Sequence, residues 1–183
     1  MTDSPGAPST RRTWLYAGVA TVAGLAGAGG AWWRQHPEGS APTGERLDAA
    51  FWAQRFERPE GGEIVFAELR GKPLLLNFWA TWCPPCVEEM PMINAFYREV
   101  AANGWQVVGL AIDQPSAVRK FLGRTPVGYP IGLAGLAGTD MVKQMGNAAG
   151  GLPFTVVVDA AGGVMARKMG KLDAADLQAW RRA

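Results

Sequence analysis

Residues 73–80, PLLLNFWA, form a continuous apolar run of strand length. Such a run marks a strand buried on both faces of a sheet, so the fold has to supply a layer above it and a layer below it. The chain beyond residue 80 holds candidates for both layers. Residues 84–102 read as a helix, with Met90, Ile93, Tyr97 and Val100 as a stripe at three- and four-residue steps, ended by Asn103-Gly104. WQVVGLAI is a second strand, Ser116 to Leu122 a helix, YPIGL a short strand and Thr139 to Met145 a short helix. FTVVVD, a turn at AAGG, the strand VMARKM and a last helix capped by Asp173 complete the pattern, with EIVFAEL as a short strand upstream. Alternating strands and helices that finish in a hairpin and a helix predict an α/β sandwich around a mixed sheet. The stretch 47–58, LDAAFWAQRFER, carries aromatics but no defensible period.

The amino-terminal third is of another kind. Residues 14–33 hold no charge over 20 positions, enough helix at about 1.5 Å per residue to cross a bilayer core of roughly 30 Å. Arg11 and Arg12 precede the run, and Trp32, Trp33 and Arg34 close it. These flanks predict a membrane segment with a cytoplasmic leader at 1–13, rather than a buried core helix. The segment reads either as a retained anchor or as a cleaved signal, because Ala26-Gly27-Ala28 offers small residues at cleavage-site spacing. TRRTWL also resembles a twin-arginine export signal. Either route carries the remainder out of the cytoplasm. Residues 35–46, rich in Pro, Gly, Ser and charge, read as a linker, and the only histidine, His36, is a solvated linker residue.

A formal charge of +2 without a basic stripe excludes nucleic acid as a partner. Two cysteines exclude a multi-bridge scaffold, and both fall at the strand-to-helix junction, in TWCPPC. A zinc site needs four Cys or His ligands and finds two cysteines and a distant linker histidine, so it would need a second copy of the chain and no metal is expected. A haem attachment needs His after Cys86, where Val87 stands. The redox reading has geometry behind it. Positions i and i+3 on the first helical turn lie about 5–6 Å apart at Cβ, within small adjustment of a disulfide. Unpaired N–H groups and the helix dipole favour a thiolate on Cys83, the nucleophile, with Cys86 one turn deeper as the resolving thiol.

LRGKPLLLNFWATWCPPC, Pro91 five residues after Cys86, and GGLPFTVVVD together resemble the TlpA/ResA/CcmG-type membrane-anchored thiol–disulfide oxidoreductases of the thioredoxin superfamily. The resemblance covers roughly residues 60–181. It implies a three-layer thioredoxin-like sandwich with a mixed central sheet, occupying 60–183, in which 115–147 is the extra helix–strand insertion of this branch. Residues 34–59 are then linker and domain start, without the hairpin opening usual in the family.

The resemblance also implies roles. Pro153 is cis, lies against the cysteine pair, and presents backbone near Leu152 to an extended substrate segment by strand addition. Where thioredoxins bury an aspartate beneath the resolving cysteine this chain has Asn77, which cannot take a proton, and Glu89 matches the acid of the ResA-like branch that relays the proton of Cys86. Glu88 and Glu89 are equally readable as solvated acids in the first turns of a helix. Trp79 and Trp82 wall the site, although core packing explains Trp79 as well.

Pro84 and Pro85 have no N–H, so a Cys83 thiolate is left with the Cys86 backbone N–H and thiol as donors. A less stabilised thiolate makes a more reducing couple. The expected protein is a periplasmic reductase held in the bacterial inner membrane by 14–33, or soluble in the periplasm after cleavage. It takes disulfide-bearing exported clients of the cytochrome c maturation or copper-site type and is recharged by a membrane thiol carrier. It needs no cofactor beyond the Cys83–Cys86 pair. The alternatives are a disulfide oxidase or isomerase, a peroxidase, a copper carrier, and a non-catalytic module that binds an apoprotein through the Pro153 loop and keeps its cysteines as a structural bridge.

Overall fold

The computed structural model of the protein describes residues 44–182. The expected leader 1–13, membrane segment 14–33 and the linker as far as residue 43 lie outside the described residues. Among the described residues no helix is long and apolar enough to cross a membrane.

In chain order the elements are α1 (Ala49–Trp52), β1 (Arg55–Glu57), β2 (Glu63–Val65), a 3-10 turn at Phe66–Leu69, β3 (Leu74–Trp79), α2 (Pro84–Val100), β4 (Gln106–Ala111), α3 (Pro115–Leu122), β5 (Ile131–Leu133), α4 (Gly138–Gln144), β6 (Phe154–Val158), β7 (Val164–Met169) and α5 (Ala174–Arg182). The run read as a doubly buried strand is β3, buried at every position. It occupies the centre of a mixed sheet of order β5-β4-β3-β6-β7. β4 and β5 run parallel to it, β6 runs antiparallel, and β7 returns antiparallel to β6.

Side chains alternate across the sheet, and so do the cores. Leu75, Trp79, Val107, Ala111, Ile131 and Val157 pack with α2, α3 and α5. Leu74, Leu76, Phe78, Val108, Leu110, Phe154, Val156 and Val158 pack with Phe51, Trp52, Ile64, Phe66, Val142 and Met145 on the other face. Local chemistry sets the helix ends. Gly104 takes φ 85°, the left-handed turn that closes the segment after α2. Asp173 and Asp176 exchange backbone-to-carboxylate bonds of 2.9 and 3.0 Å at the start of α5.

Two short segments differ from expectation. EIVFAEL is a strand only as far as Val65, and its second half is the 3-10 turn. The stretch 47–58, without a period in the sequence, folds into α1 and β1, with Phe51 and Trp52 buried. β1 and β2 pair as an antiparallel hairpin, Phe56 opposite Ile64, so packed structure reaches upstream of residue 60 and a hairpin opening is present. A four-residue helix and a three-residue strand are each shorter than the window in which periodicity can be read.

Candidate active site

The sheet direction gathers the site. β3 and β4 end at the same edge, and β6 begins there, because Phe78 is the last β3 residue in register with Phe154. The chain leaves β3 through Ala80 and Thr81, and Cys83 then becomes the N-cap of α2, whose first two residues are Pro84 and Pro85. Two prolines at a helix start lose only N–H groups that the helix leaves unpaired. Cys83 and Cys86 are joined, with Sγ atoms 2.05 Å and Cα atoms 5.3 Å apart. Cys83 is 4% exposed and Cys86 is fully buried, so an incoming group reaches Cys83 first.

Asp113, just past β4, holds the approach to the cysteines. Its Oδ2 accepts from the Thr81 N–H at 2.9 Å and from the Thr81 hydroxyl at 2.5 Å, while Oδ1 accepts from the Gln114 N–H at 2.7 Å. Trp82 follows directly and is 66% exposed, one of few large apolar side chains left in solvent. Trp79 has the opposite fate. It is fully buried and lies against Phe121 of α3 with ring centroids 5.6 Å apart, so it belongs to the core and offers no wall to a visitor. Of the two readings open for Trp79, core packing holds, because strand alternation turns it under α3.

The Leu152–Pro153 peptide is cis. Pro153 is buried one residue before β6, and its carbonyl accepts from Gly170 N–H at 2.9 Å, while Leu152 is half-buried. Pro84 is exposed and Pro85 half-buried.

One helical turn beyond Cys86, on the same buried side of α2, lies a carboxyl group. Glu89 is fully buried, whereas Glu88 points outward and pairs with Lys171 at 2.6 Å. Glu89 Oε1 accepts from Asn77 Nδ2 at 2.8 Å and Oε2 accepts from the Leu172 N–H at 2.7 Å. Asn77 Nδ2 also donates to Thr155 Oγ1 at 3.0 Å. Burial pushes the Glu89 pKa above the ordinary carboxylate range, against the pull of the Leu172 and Asn77 donors and of the Lys171 charge. Nearby, Tyr129 is buried and its phenol is raised, first by burial and then by the Glu89 charge. The tyrosine ring approaches here because residue 109 is glycine. A Cβ there would lie 2.7 Å from Ile131 Cδ1, 3.0 Å from Tyr129 Cε2 and 3.2 Å from Trp79 Nε1.

Cys83, Cys86 and Glu89 are therefore brought together on the first turns of α2. Leu152 and Pro153 come to the same edge of the sheet. Thr155, Asp113 and the Leu172 amide were not singled out from the sequence. Helical arithmetic did hold a signal for Glu89: Cys86, Glu89, Ile93, Phe96 and Val100 lie on one buried stripe. Among the described residues no group of three His, Cys, Asp or Glu side chains comes together to hold a metal ion. A disulfide whose Cys83 end is the less buried one can be attacked by an external thiolate, and the reduced pair can in turn attack an external disulfide.

The Redoxin family matches residues 41–179. The chain is 32% identical to the thiol-disulfide oxidoreductase ResA of Bacillus cereus over 113 residues, 61% of this chain and 63% of that protein. It is 33% identical to ResA of Geobacillus kaustophilus over 122 residues, 65% of this chain and 67% of that one. The match thus spans just under two thirds of the Bacillus relative's length. Among solved structures, a thiol:disulfide interchange protein of the thioredoxin family from Chlorobium tepidum superposes with a TM-score of 0.65 at 26% identity, covering 78% of this chain and 96% of that one.

Proposed function

The chain belongs to the Redoxin family as a TlpA/ResA/CcmG-like member of the thioredoxin superfamily, and from that premise we propose that it is a thiol–disulfide oxidoreductase which reduces disulfides in exported client proteins. The observation that carries the reading is the Cys83–Cys86 pair at the head of α2, with Cys83 4% exposed, Cys86 fully buried and Glu89 buried one helical turn further on.

In the reduced protein Cys83 reacts as the thiolate, stabilised at the helix N-terminus, and attacks a client sulfur. The S–S bond of the client breaks, one client sulfur leaves as thiolate, and a Cys83–client mixed disulfide forms. Glu89 takes the proton of Cys86. The Cys86 thiolate then attacks the Cys83 sulfur, forming the Cys83–Cys86 bond and expelling the second client thiolate. Two electrons pass to the client, the expelled thiolates take two protons from solvent while the Cys86 proton stays on Glu89, and the protein is left with its Cys83–Cys86 disulfide. Recharging runs in reverse, with Glu89 returning its proton to Cys86, and its raised pKa suits it to hold that proton between steps. Trp82 and the backbone around Leu152 and Pro153 line the approach to Cys83 and are the residues to receive a client segment.

The direction rests on Pro84 and Pro85, which deny the Cys83 thiolate two amide donors and make the couple reducing. The uncharged run 14–33 with its arginine and tryptophan flanks supports an inner-membrane anchor, with the domain in the periplasm and a membrane thiol carrier as donor. Clients of the cytochrome c maturation or copper-site type are those the family resemblance implies.

The test is the reduction potential of the Cys83/Cys86 couple in the full chain, together with turnover of Cys83→Ser. A potential near the roughly −270 mV of thioredoxin, with turnover abolished in the variant, supports the reductase. A value near about −120 mV makes the protein a disulfide donor instead. Client binding that Cys83→Ser retains, with no turnover in the natural protein, leaves only a binding module whose cysteines are a structural bridge.

A further inference from the structure

The residues around Glu89 form a row across the sheet. Asn77 of β3 is in register with Gly109 of β4 and with Thr155 of β6, and Thr155 with Lys168 of β7. All face α2 and α5, by the alternation that places Leu75, Trp79 and Val157 there. On this face the row is glycine, amide, hydroxyl and ammonium where the neighbouring rows are aliphatic or aromatic. Asn77, Thr155 and Glu89 are all fully buried.

An ionised carboxylate offers only acceptors, so inside a core it needs donors aimed at it. Leu172 supplies one from the backbone, fixed by the chain path into α5. The other is a side chain, Asn77 Nδ2, and one of its two N–H bonds goes to Glu89 while the other goes to Thr155 Oγ1. The hydroxyl thus decides how the amide is turned. Asn77 Oδ1 has no hydrogen-bond partner among the described residues, so among them the amide is oriented by its nitrogen alone.

We propose that Asn77, braced by Thr155, is the positioning residue that holds the Glu89 carboxylate beneath Cys86 and keeps it able to accept a proton there. The proposal rests on the reading that Glu89 exchanges a proton with Cys86. Asn77 itself takes no proton. It stands where thioredoxins carry an acid, and its part is to hold the acid that α2 provides. Other groups also act on Glu89. Lys171 favours its ionised form, and Asp176 of α5 opposes it while pairing with Lys168 at 3.3 Å. Tyr129 is a neutral phenol, and Glu88 is engaged by Lys171. Among the described residues only Asn77 and the Leu172 amide donate to Glu89 directly.

The experiment is the pH–rate profile, from about pH 5 to 9, of mixed-disulfide resolution by Cys86 in the full chain. The proteins compared are the natural protein, Glu89→Gln, Asn77→Leu and Thr155→Val. Thr155→Val keeps the shape of the side chain and loses only the hydroxyl, so it reports even where Asn77→Leu fails to fold. The natural protein should show a rising limb set by Glu89, and Glu89→Gln should lack it. Asn77→Leu, deprived of a donor to the charged form, should keep the limb displaced upward by about one pH unit, a tenfold slower step on the limb. Thr155→Val should move it in the same direction by less. A limb present in the natural protein, absent in Glu89→Gln and unmoved in both other variants overturns the positioning role alone. A limb that survives in Glu89→Gln overturns the relay beneath it, and the proposal with it.

Discussion

The two faces of β3 are built from the same six residues and do different work. Leu74, Leu76 and Phe78 pack in an apolar cluster with Val108, Leu110, Phe154 and Val156, with Phe78 stacked on Phe154 at 5.9 Å. Leu75 and Trp79 flank Asn77 on the other face, where a carboxyl group is carried into the core by α2. The first face needs only volume and apolarity, which many side-chain combinations satisfy. The second needs donors at set positions, because a buried charge without them costs several times what a lost methyl group costs. Both faces carry an apolar core, and only the second also buries a carboxyl group with its donors, the two hung from one backbone.

The sharpest way to break this division is Leu76→Ala. Leu76 is fully buried on the apolar face. Its truncation should lower unfolding free energy by about 2–5 kcal/mol, read as a lower denaturant midpoint. The reduction potential of the folded protein should stay where it was. A shift of more than about 30 mV, which corresponds to roughly 1.4 kcal/mol, would show that the faces are not separable.

The next test is on the polar face and is smaller. Glu89 has a raised pKa in the folded state. A raised group contributes stability that is fully present below its unfolded value of about 4.3 and is lost as pH rises through the folded value. Glu89→Gln has no such group. The melting temperature of the natural protein relative to this variant should therefore decline as pH is raised from about 4 through the neutral range. A difference that stays flat across that range would mean that the carboxyl is not held as the geometry describes.

The same division explains what could be read in the chain. The buried run of β3, the alternation of strands and helices, the cysteine pair and the start of α2 depend on residues close in sequence or on periodicity, and all were legible. Glu89 was singled out over Glu88 by the family resemblance, and the helical stripe it shares with Cys86 and Ile93 pointed the same way, but its full burial is visible only in the structure. Asn77 could be noticed as an amide within a buried run. That its amide turns toward Thr155 depends on β6 lying beside β3, a contact across 78 residues. The Leu172 N–H reaches Glu89 across 83 residues, and the Asp113 grip on Thr81 depends on where β4 ends. Trp79 and Trp82, three residues apart, part because one points under α3 and the other leaves the sheet.

The smallest expected effect tests how far the polar face reaches toward solvent. Lys171 and Glu88 form an ion pair at 2.6 Å with side chains 47% and 60% exposed. Pairs of this kind contribute about 0–1 kcal/mol, so Lys171→Met should leave the melting temperature almost unchanged. Yet the Lys171 charge also favours the ionised form of Glu89. Its removal should move the Glu89-dependent limb of the exchange profile slightly upward, in the direction expected of Asn77→Leu. The two displacements differ in kind. The Lys171 contribution crosses a solvent-exposed path and should fade as ionic strength is raised toward 1 M, where the screening length is about 3 Å. The Asn77 contribution is a buried hydrogen bond at 2.8 Å and should persist. Equal salt sensitivity of the two shifts would place Glu89 in contact with solvent and remove the distinction between the faces.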